Sequence, residues 1–232
     1  MIEQLASFHA AFAGGAAISV VNYHNTPANR ADQYDRELEA LAQRFAPTTV
    51  DDLAAYITHG RWPKSKPGIV IALYNGYRNN HDVFWPLLEK HGLTGWFFVA
   101  SGYVGCPAED QLRFGSEHNL RTIPNEYADG RYAMGWDELR AIDKRHVIAS
   151  HTRHHAQIAM ADEAALASEI IGSQADFRAM LGHPVRAFAW LFGHAYGEAP
   201  LADRYINEAG YEFLFSNFMI QRLSRSTAPT VD

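Results

Sequence analysis

Apolar residues fall into two alternating periods along this chain. Continuous β-branched, aliphatic or aromatic runs occur at 17–23, 68–74, 96–99, 146–150, 185–190 and 212–216, each short and sharply punctuated as strands are. The run 68–74, Gly-Ile-Val-Ile-Ala-Leu-Tyr, has no polar alternation, which predicts burial on both faces as in a parallel sheet. Between these runs the spacing changes to three and four. Tyr34, Leu38, Leu41 and Phe45 mark one buried helix face over 32–45, which Pro47 closes. Val83, Phe84, Leu87 and Leu88 mark a second over 80–91, with Gly92 as its stop. Further helices are predicted over 51–57, 134–145, 162–181 and 201–209, the third of these closed by Gly182 and Pro184. The stretch 60–67 is a connector, and 101–133, rich in Gly and Pro and without a period, reads as a long loop. Strand and helix alternate, so the pattern predicts a parallel α/β fold, either a barrel or a doubly wound sheet. In both, a site lies beyond the C-terminal strand ends, where Asn75, His151 and Gly193 fall.

Composition narrows the classes of function. With 232 residues, 47% of them apolar, the chain can bury a substantial core, and one domain spanning 1–232 is expected. The net charge of -6, the pI near 6.0 and the lack of any Lys/Arg block argue against a nucleic-acid partner. No run approaches the roughly eighteen apolar residues of a membrane span. Cys106 is the only cysteine, which removes an intramolecular disulfide and a cysteine-based zinc site. The first twenty residues carry Glu3 and His9 and lack a basic start, unlike a secretory signal, so the sequence as it stands is expected to be cytoplasmic.

Four of the twelve histidines lie between His146 and His155. His151 and His155 are four apart, a spacing that lets both rings face one point if the turn after the strand is helical. Two imidazoles so placed could grip a divalent metal; a solvated polar loop has the same composition.

Several motifs, in order and at predicted strand ends, resemble those of the polysaccharide deacetylase family, the NodB-homology group of carbohydrate esterase family 4, and its exopolysaccharide-type members in particular. Tyr23-His24 resembles the Tyr-His that ends their first strand, and the segment from Leu73 to Asn80 lies where they have Phe-Asp-Asp-Gly-Tyr and a polar tail. His151-Thr152-Arg153-His154-His155 matches their His-Ser/Thr-x-x-His, preceded by the helix-like Met134-Gly135-Trp136-Asp137-Glu138-Leu139. Phe188-Ala189-Trp190-Leu191-Phe192-Gly193 is similar to their Phe-Ala-Tyr-Pro-Tyr-Gly. The resemblance implies a deformed, seven-stranded β/α barrel and hydrolysis of the N-acetyl amide of amino sugars with one divalent metal, zinc first among them. The implied partner is a carbohydrate or another acylated small molecule. In that family the first Asp of the pair is the base, and the second Asp and two histidines hold the metal. Carried onto this chain, Tyr74 occupies the base position, while Asn75, His151 and His155 occupy the metal positions.

The departures from that pattern fall where the chemistry is. A carboxylate with a pKa of about 4 is ionised at neutral pH, whereas a phenol at about 10 already holds its proton. Tyr74 could donate a hydrogen bond to a developing oxyanion, or act as a base if a cation lowered its pKa. Asn75 can offer an amide oxygen to a metal but brings no charge, which predicts weakened metal binding. Leu191 replaces the proline of the third motif. Phe192 lacks the usual hydroxyl, although the backbone N–H that serves as the family's oxyanion donor survives. No Leu-x-His occurs near the C-terminus, where the family has its general acid, and His194 is the nearest substitute. Tyr77, Trp190 and Phe192 are expected to contact substrate, and Tyr103, Tyr132 and Trp136 also fall near strand-end loops. The expectation is a family member with impaired standard chemistry. Its alternatives are a metal-independent carbon–nitrogen hydrolase using His151, His155 and His194, or a carbohydrate-binding protein without catalysis.

Overall fold

The eight strands are β1 (Ile18–Tyr23), β2 (Ala46–Pro47), β3 (Gly68–Asn75), β4 (Gly95–Val99), β5 (Val147–Ser150), β6 (Ala187–Ala189), β7 (Phe213–Phe215) and β8 (Ile220–Arg222). They come from a computed structural model that describes residues 18–60, 62–157, 162–217 and 219–223; the Ala- and Gly-rich opening, with the predicted start of the first strand at Ala17, lies outside these. The strands form one sheet in the order β1-β3-β4-β5-β6-β7-β8, and β2 pairs with the first two residues of β3. Every pairing is parallel except that between β7 and β8.

β3 is covered on both sides, as its unbroken apolar run predicts. Side chains alternate across the pleat, so Ile69, Ile71 and Leu73 join the core beneath the outer helices, with Phe97, Ile148, Phe188 and Leu214 from neighbouring strands. Val70 and Ala72 face the other way. They join Trp96, Phe98, Ala149, Ala187, Phe213 and Phe215 in a second core on the inner side of the curled sheet. β1 and β8 are its two edges and do not pair with each other among the described residues, so the sheet is a half-barrel.

The helices are α1 (Ala31–Arg44), α2 (Val50–His59), α3 (Trp85–His91), α4 (Ser101–Val104), α5 (Gln111–Glu117), α6 (Trp136–Ile142), α7 (Glu163–Ala167), α8 (Ser173–Leu181) and α9 (Pro200–Ala209). A π-turn, Asn80–Phe84, leads into α3, and a second, Ser168–Gly172, joins α7 to α8 within the predicted 162–181 pattern. α2 starts at a capping box, in which the Asp52 N–H donates to Thr49 Oγ1 at 3.1 Å and the Thr49 N–H donates to Asp52 Oδ2 at 2.9 Å. Its Leu53 plugs the inner core, and the Arg222 guanidinium of β8 donates to the Ala54 carbonyl of this helix.

Seven strands follow one another through the sheet, as the resemblance implies, and the two-residue β2, which includes Pro47, pairs with β3 off that path. Two expectations are corrected. The stretch 101–133 is not a plain loop: it carries α4 and α5, and Tyr77, Tyr103, Leu120 and Tyr132 bury one another in a small core of their own. Gln111 Oε1 accepts from the Tyr132 and Ala133 N–H groups at 2.7 and 2.9 Å, which ties that segment to α5. Finally, the turn after β5 is not helical. Among the described residues, no helix is long and apolar enough to cross a membrane.

Candidate active-site cleft

The C-terminal ends of β1, β3, β5, β6 and β7 open into one cleft of about 1070 Å³. At the end of β3 the chain reverses through two left-handed residues, Asn75 at φ 82° and Gly76 at φ 88°. Gly76 is favoured by its positive φ, and a Cβ there would press on Val99 Cγ1 at 3.0 Å. The turn holds Asn75 almost fully buried, with its Nδ2 donating to Tyr77 Oη at 3.2 Å. In that orientation Asn75 Oδ1 is a buried acceptor without a partner, an uncommon condition that marks it as available to a ligand.

His151 and His155 converge on the same cleft by a different route from the one their spacing suggests. Thr152 and His155 take left-handed backbone angles, φ 66° and 59°, and this non-helical loop brings the two rings to 4.9 Å between centroids. His151 Nδ1 donates to the Ala189 carbonyl at 2.8 Å, and His155 Nδ1 donates to the His118 carbonyl at 2.7 Å. A carbonyl can only accept, so in each neutral ring the proton sits on Nδ1 and Nε2 carries a lone pair. Burial, then the neighbouring imidazole of His155, holds the His151 pKa well below the usual 6.5. Burial, followed by the charge of His24, also lowers that of His155 against the opposing pull of the His118 carbonyl.

The Tyr74 ring is stacked between His24 and Phe98, with centroids at 5.4 and 4.9 Å, and meets the edge of His151 at 5.1 Å. Burial raises its pKa above that of an ordinary phenol, and no cation opposes the shift, so Tyr74 holds its proton. His24 is itself positioned by the polar tail of the β3 motif. Asn80 Nδ2 donates to the His24 carbonyl at 2.7 Å, and the Thr26 N–H donates to Asn79 Oδ1 at 3.0 Å. From the outside, the buried Glu169 of the π-turn accepts from the Arg153 and His154 N–H groups at 3.0 and 2.7 Å, and from His154 Nδ1 at 2.6 Å. Burial alone would raise the Glu169 pKa, but the bonds from His154 outweigh it and keep the carboxylate charged.

Of the residues singled out from sequence, Tyr74, Asn75, Tyr77, His151, His155, Trp190 and Phe192 all line this cleft. His194 does not line it: its Nδ1 pairs with Glu198 Oε2 at 2.8 Å on the outer side of the loop. Tyr103 and Tyr132 are buried with Tyr77, and Trp136 packs on Phe177. The sequence reading gave no site role to His24, although it quoted it in a motif, nor to Asn22, Asn25, Asn119 and Arg121, which all line the cleft. The signal for the first two was present, because Ile18, Val20, Asn22 and His24 lie two apart and share one face of the strand and its extension. Asn119 and Arg121 come from a segment without a period, and only folding brings them there.

The donors of His151, His155 and Asn75 suit a borderline cation such as zinc in type, two imidazole nitrogens and an amide oxygen. They supply no negative charge, and among the described residues no Asp or Glu lines the cleft. Among the described residues, the one group of three histidine or carboxylate ligands within reach of one another is His81, Asp82 and Glu138. It lies elsewhere, and Arg78 and Arg131 already pair with its carboxylates.

The fold is thus a curled α/β half-barrel with paired imidazoles at its strand ends. The family model described as Polysaccharide deacetylase matches residues 62–214, well over half of the chain, and the chain belongs to that family. Two solved structures have similar folds. The Streptococcus pyogenes deacetylase PplD, in complex with acetate, superposes with a TM-score of 0.66 at 12% identity, covering 89% of this chain and 85% of that one. IcaB from Ammonifex degensii gives 0.66 at 19% identity, over 86% of this chain and 83% of that one. The poly-beta-1,6-N-acetyl-D-glucosamine N-deacetylase of Escherichia coli strain K12 is 22% identical over 144 residues, 57% of this chain. The match spans only 20% of that relative's length.

Proposed function

We propose that this chain is a saccharide-binding member of the polysaccharide deacetylase family in which the usual base-assisted hydrolysis of an N-acetyl amide is impaired. The observation that carries this reading is that no described residue of the cleft lining is a carboxylate. A general base must reach the proton it takes and must be deprotonated at working pH. Tyr74 stands in the base position with its pKa raised, so it can donate a hydrogen bond but not accept a proton. The cleft is better equipped to bind. Asn22, Asn25 and Asn119 offer amides to sugar hydroxyls, Arg121 offers a guanidinium, and the exposed Phe192 offers aromatic surface, Tyr77 and Trp190 being buried behind it. A divalent cation held by His151, His155 and Asn75 would polarise an acyl oxygen. The residues themselves orient that acyl group: the Tyr74 hydroxyl and the Phe192 N–H are its donors.

The test is calorimetric titration with N-acetylglucosamine oligomers, run beside a sensitive deacetylation assay with and without zinc. Binding without turnover, weakened by His151→Ala, is the expected result. Tight zinc binding with deacetylation at ordinary enzymatic rates would sink the proposal.

One observation favours a second reading, a hydrolase of small amides that relies on histidine. His24 lines the cleft, and burial lowers its pKa below 6.5, so its unprotonated form is the one present at neutral pH. If it is the base, the rate should inflect below neutrality, and a pH–rate profile flat through that range would dismiss it.

A further inference from the structure

The cleft is longer than an acetylated sugar needs, and it changes character along its length. On β1 the side chains that face it run from Ile18 and Val20 to Asn22 and then His24 beyond the strand end, a path of about 20 Å at ~3.3 Å per residue. The apolar half continues across the open seam of the half-barrel. Leu53 and Ile57 of α2 floor it, and Met219 and Ile220 close its far side. Six large hydrophobic residues are exposed among those described, and four of them, Val20, Ile57, Phe192 and Met219, line this one cleft. Scattered exposed aliphatics are ordinary, but a contiguous set that runs into a polar pocket marks a binding surface for an apolar group. Among the described residues no charged side chain lines that wall, and the permanently charged residue of the lining is Arg121.

We infer that the ligand of this cleft is an amphipathic amide, an N-acylated sugar whose acyl chain is much longer than acetyl, with its head at the imidazoles and its tail along the β1–β8 seam. This rests on the saccharide-binding reading above and specifies its ligand. A neutral sugar polymer would leave the seam wall facing water, whereas an aliphatic chain covers it without meeting a charge.

The experiment compares N-octanoylglucosamine with N-acetylglucosamine by calorimetry on the full chain, below the concentration at which the octanoyl compound aggregates. Each methylene taken into the wall is worth about fourfold in affinity. The octanoyl compound is therefore expected to bind more than tenfold tighter. Val20→Asp and Met219→Asp should bring the ratio of the two affinities towards one, and Val20→Ala, which leaves β1 apolar, should lower it part of the way. Leu112→Asp, at an exposed leucine outside the cleft, should leave the ratio unchanged. Equal affinities for the two compounds would overturn the inference and leave the saccharide-binding reading standing. A ratio that survives Val20→Asp, or that falls equally with Leu112→Asp, would overturn it as non-specific adsorption. Failure of both compounds to bind would remove the inference and the reading together.

Discussion

At the scale of single residues, the site turns on two side chains at the end of β3. Asn75 presents a buried oxygen with no hydrogen-bond partner next to two imidazoles whose Nε2 atoms hold lone pairs. In the proposed site these three groups are neutral donors, and charge is what they lack. Asn75→Asp should tighten zinc binding at neutral pH by about tenfold or more, a modest part of the ~4 kcal/mol that close opposite charges gain at an effective dielectric near 20. Competition against a chromophoric chelator measures this, and an unchanged affinity would show that the carboxylate does not reach the ion. Adding Tyr74→Asp to that variant should raise deacetylation above background where Asn75→Asp alone does not, because only the pair restores both base and ligand. At Thr152, a β-branched residue held at φ 66°, the side-chain oxygen accepts from the Ala156 N–H at 2.7 Å. Thr152→Val keeps the strained backbone and removes the acceptor, so it should cost about 1–3 kcal/mol in urea unfolding.

At the scale of elements, the histidine loop is held from behind by a helix that departs from regular geometry where the holding is done. The π-turn between α7 and α8 carries Glu169, whose carboxylate accepts three donors from Arg153 and His154. Glu169→Ala strands those donors and should destabilise the protein by about 2 kcal/mol. It should also weaken ligand binding, because the released loop carries His155. Glu169→Gln restores one acceptor oxygen and should recover part of the stability, a comparison that denaturant melts of the two variants decide. On the opposite wall, Thr49→Ala removes the N-cap of α2 and should lower stability by about 1 kcal/mol. Much of this level was legible beforehand. The apolar periods of α1 and α9 and the unbroken run of β3 place those elements almost to the residue. The 101–133 segment was not legible, because α4 and α5 are too short to show a period and are stabilised by the Tyr77–Tyr103–Tyr132 core rather than by their own pattern.

At the scale of the whole molecule, burial lowers the pKa values of His24, His146, His151 and His155. The unfolded chain then binds more protons than the folded one as pH falls past about 6.5, so unfolding free energy is full above that value and declines below it. His183, raised by its bond to Asp143, works in the opposite direction but is more exposed. Stability from urea melts should thus fall between about pH 7.5 and pH 5. His146 should contribute directly, since its Nδ1 accepts from the Gly95 N–H at 3.0 Å and protonation there breaks a bond at the start of β4. His146→Gln should flatten the decline, and an unaltered slope would remove His146 from the account. By itself, the sequence determined the alternation of strands and helices, the family, and the presence of Tyr74 and Asn75 at the end of the third strand's apolar run, because each is written in local residue order. Only the tertiary structure decided the rest. It showed that His151 and His155 meet through left-handed loop residues, that His194 turns away to Glu198, and that among the described residues the half-barrel stays open between β1 and β8. Those facts depend on contacts between distant segments, which local period and residue type do not encode.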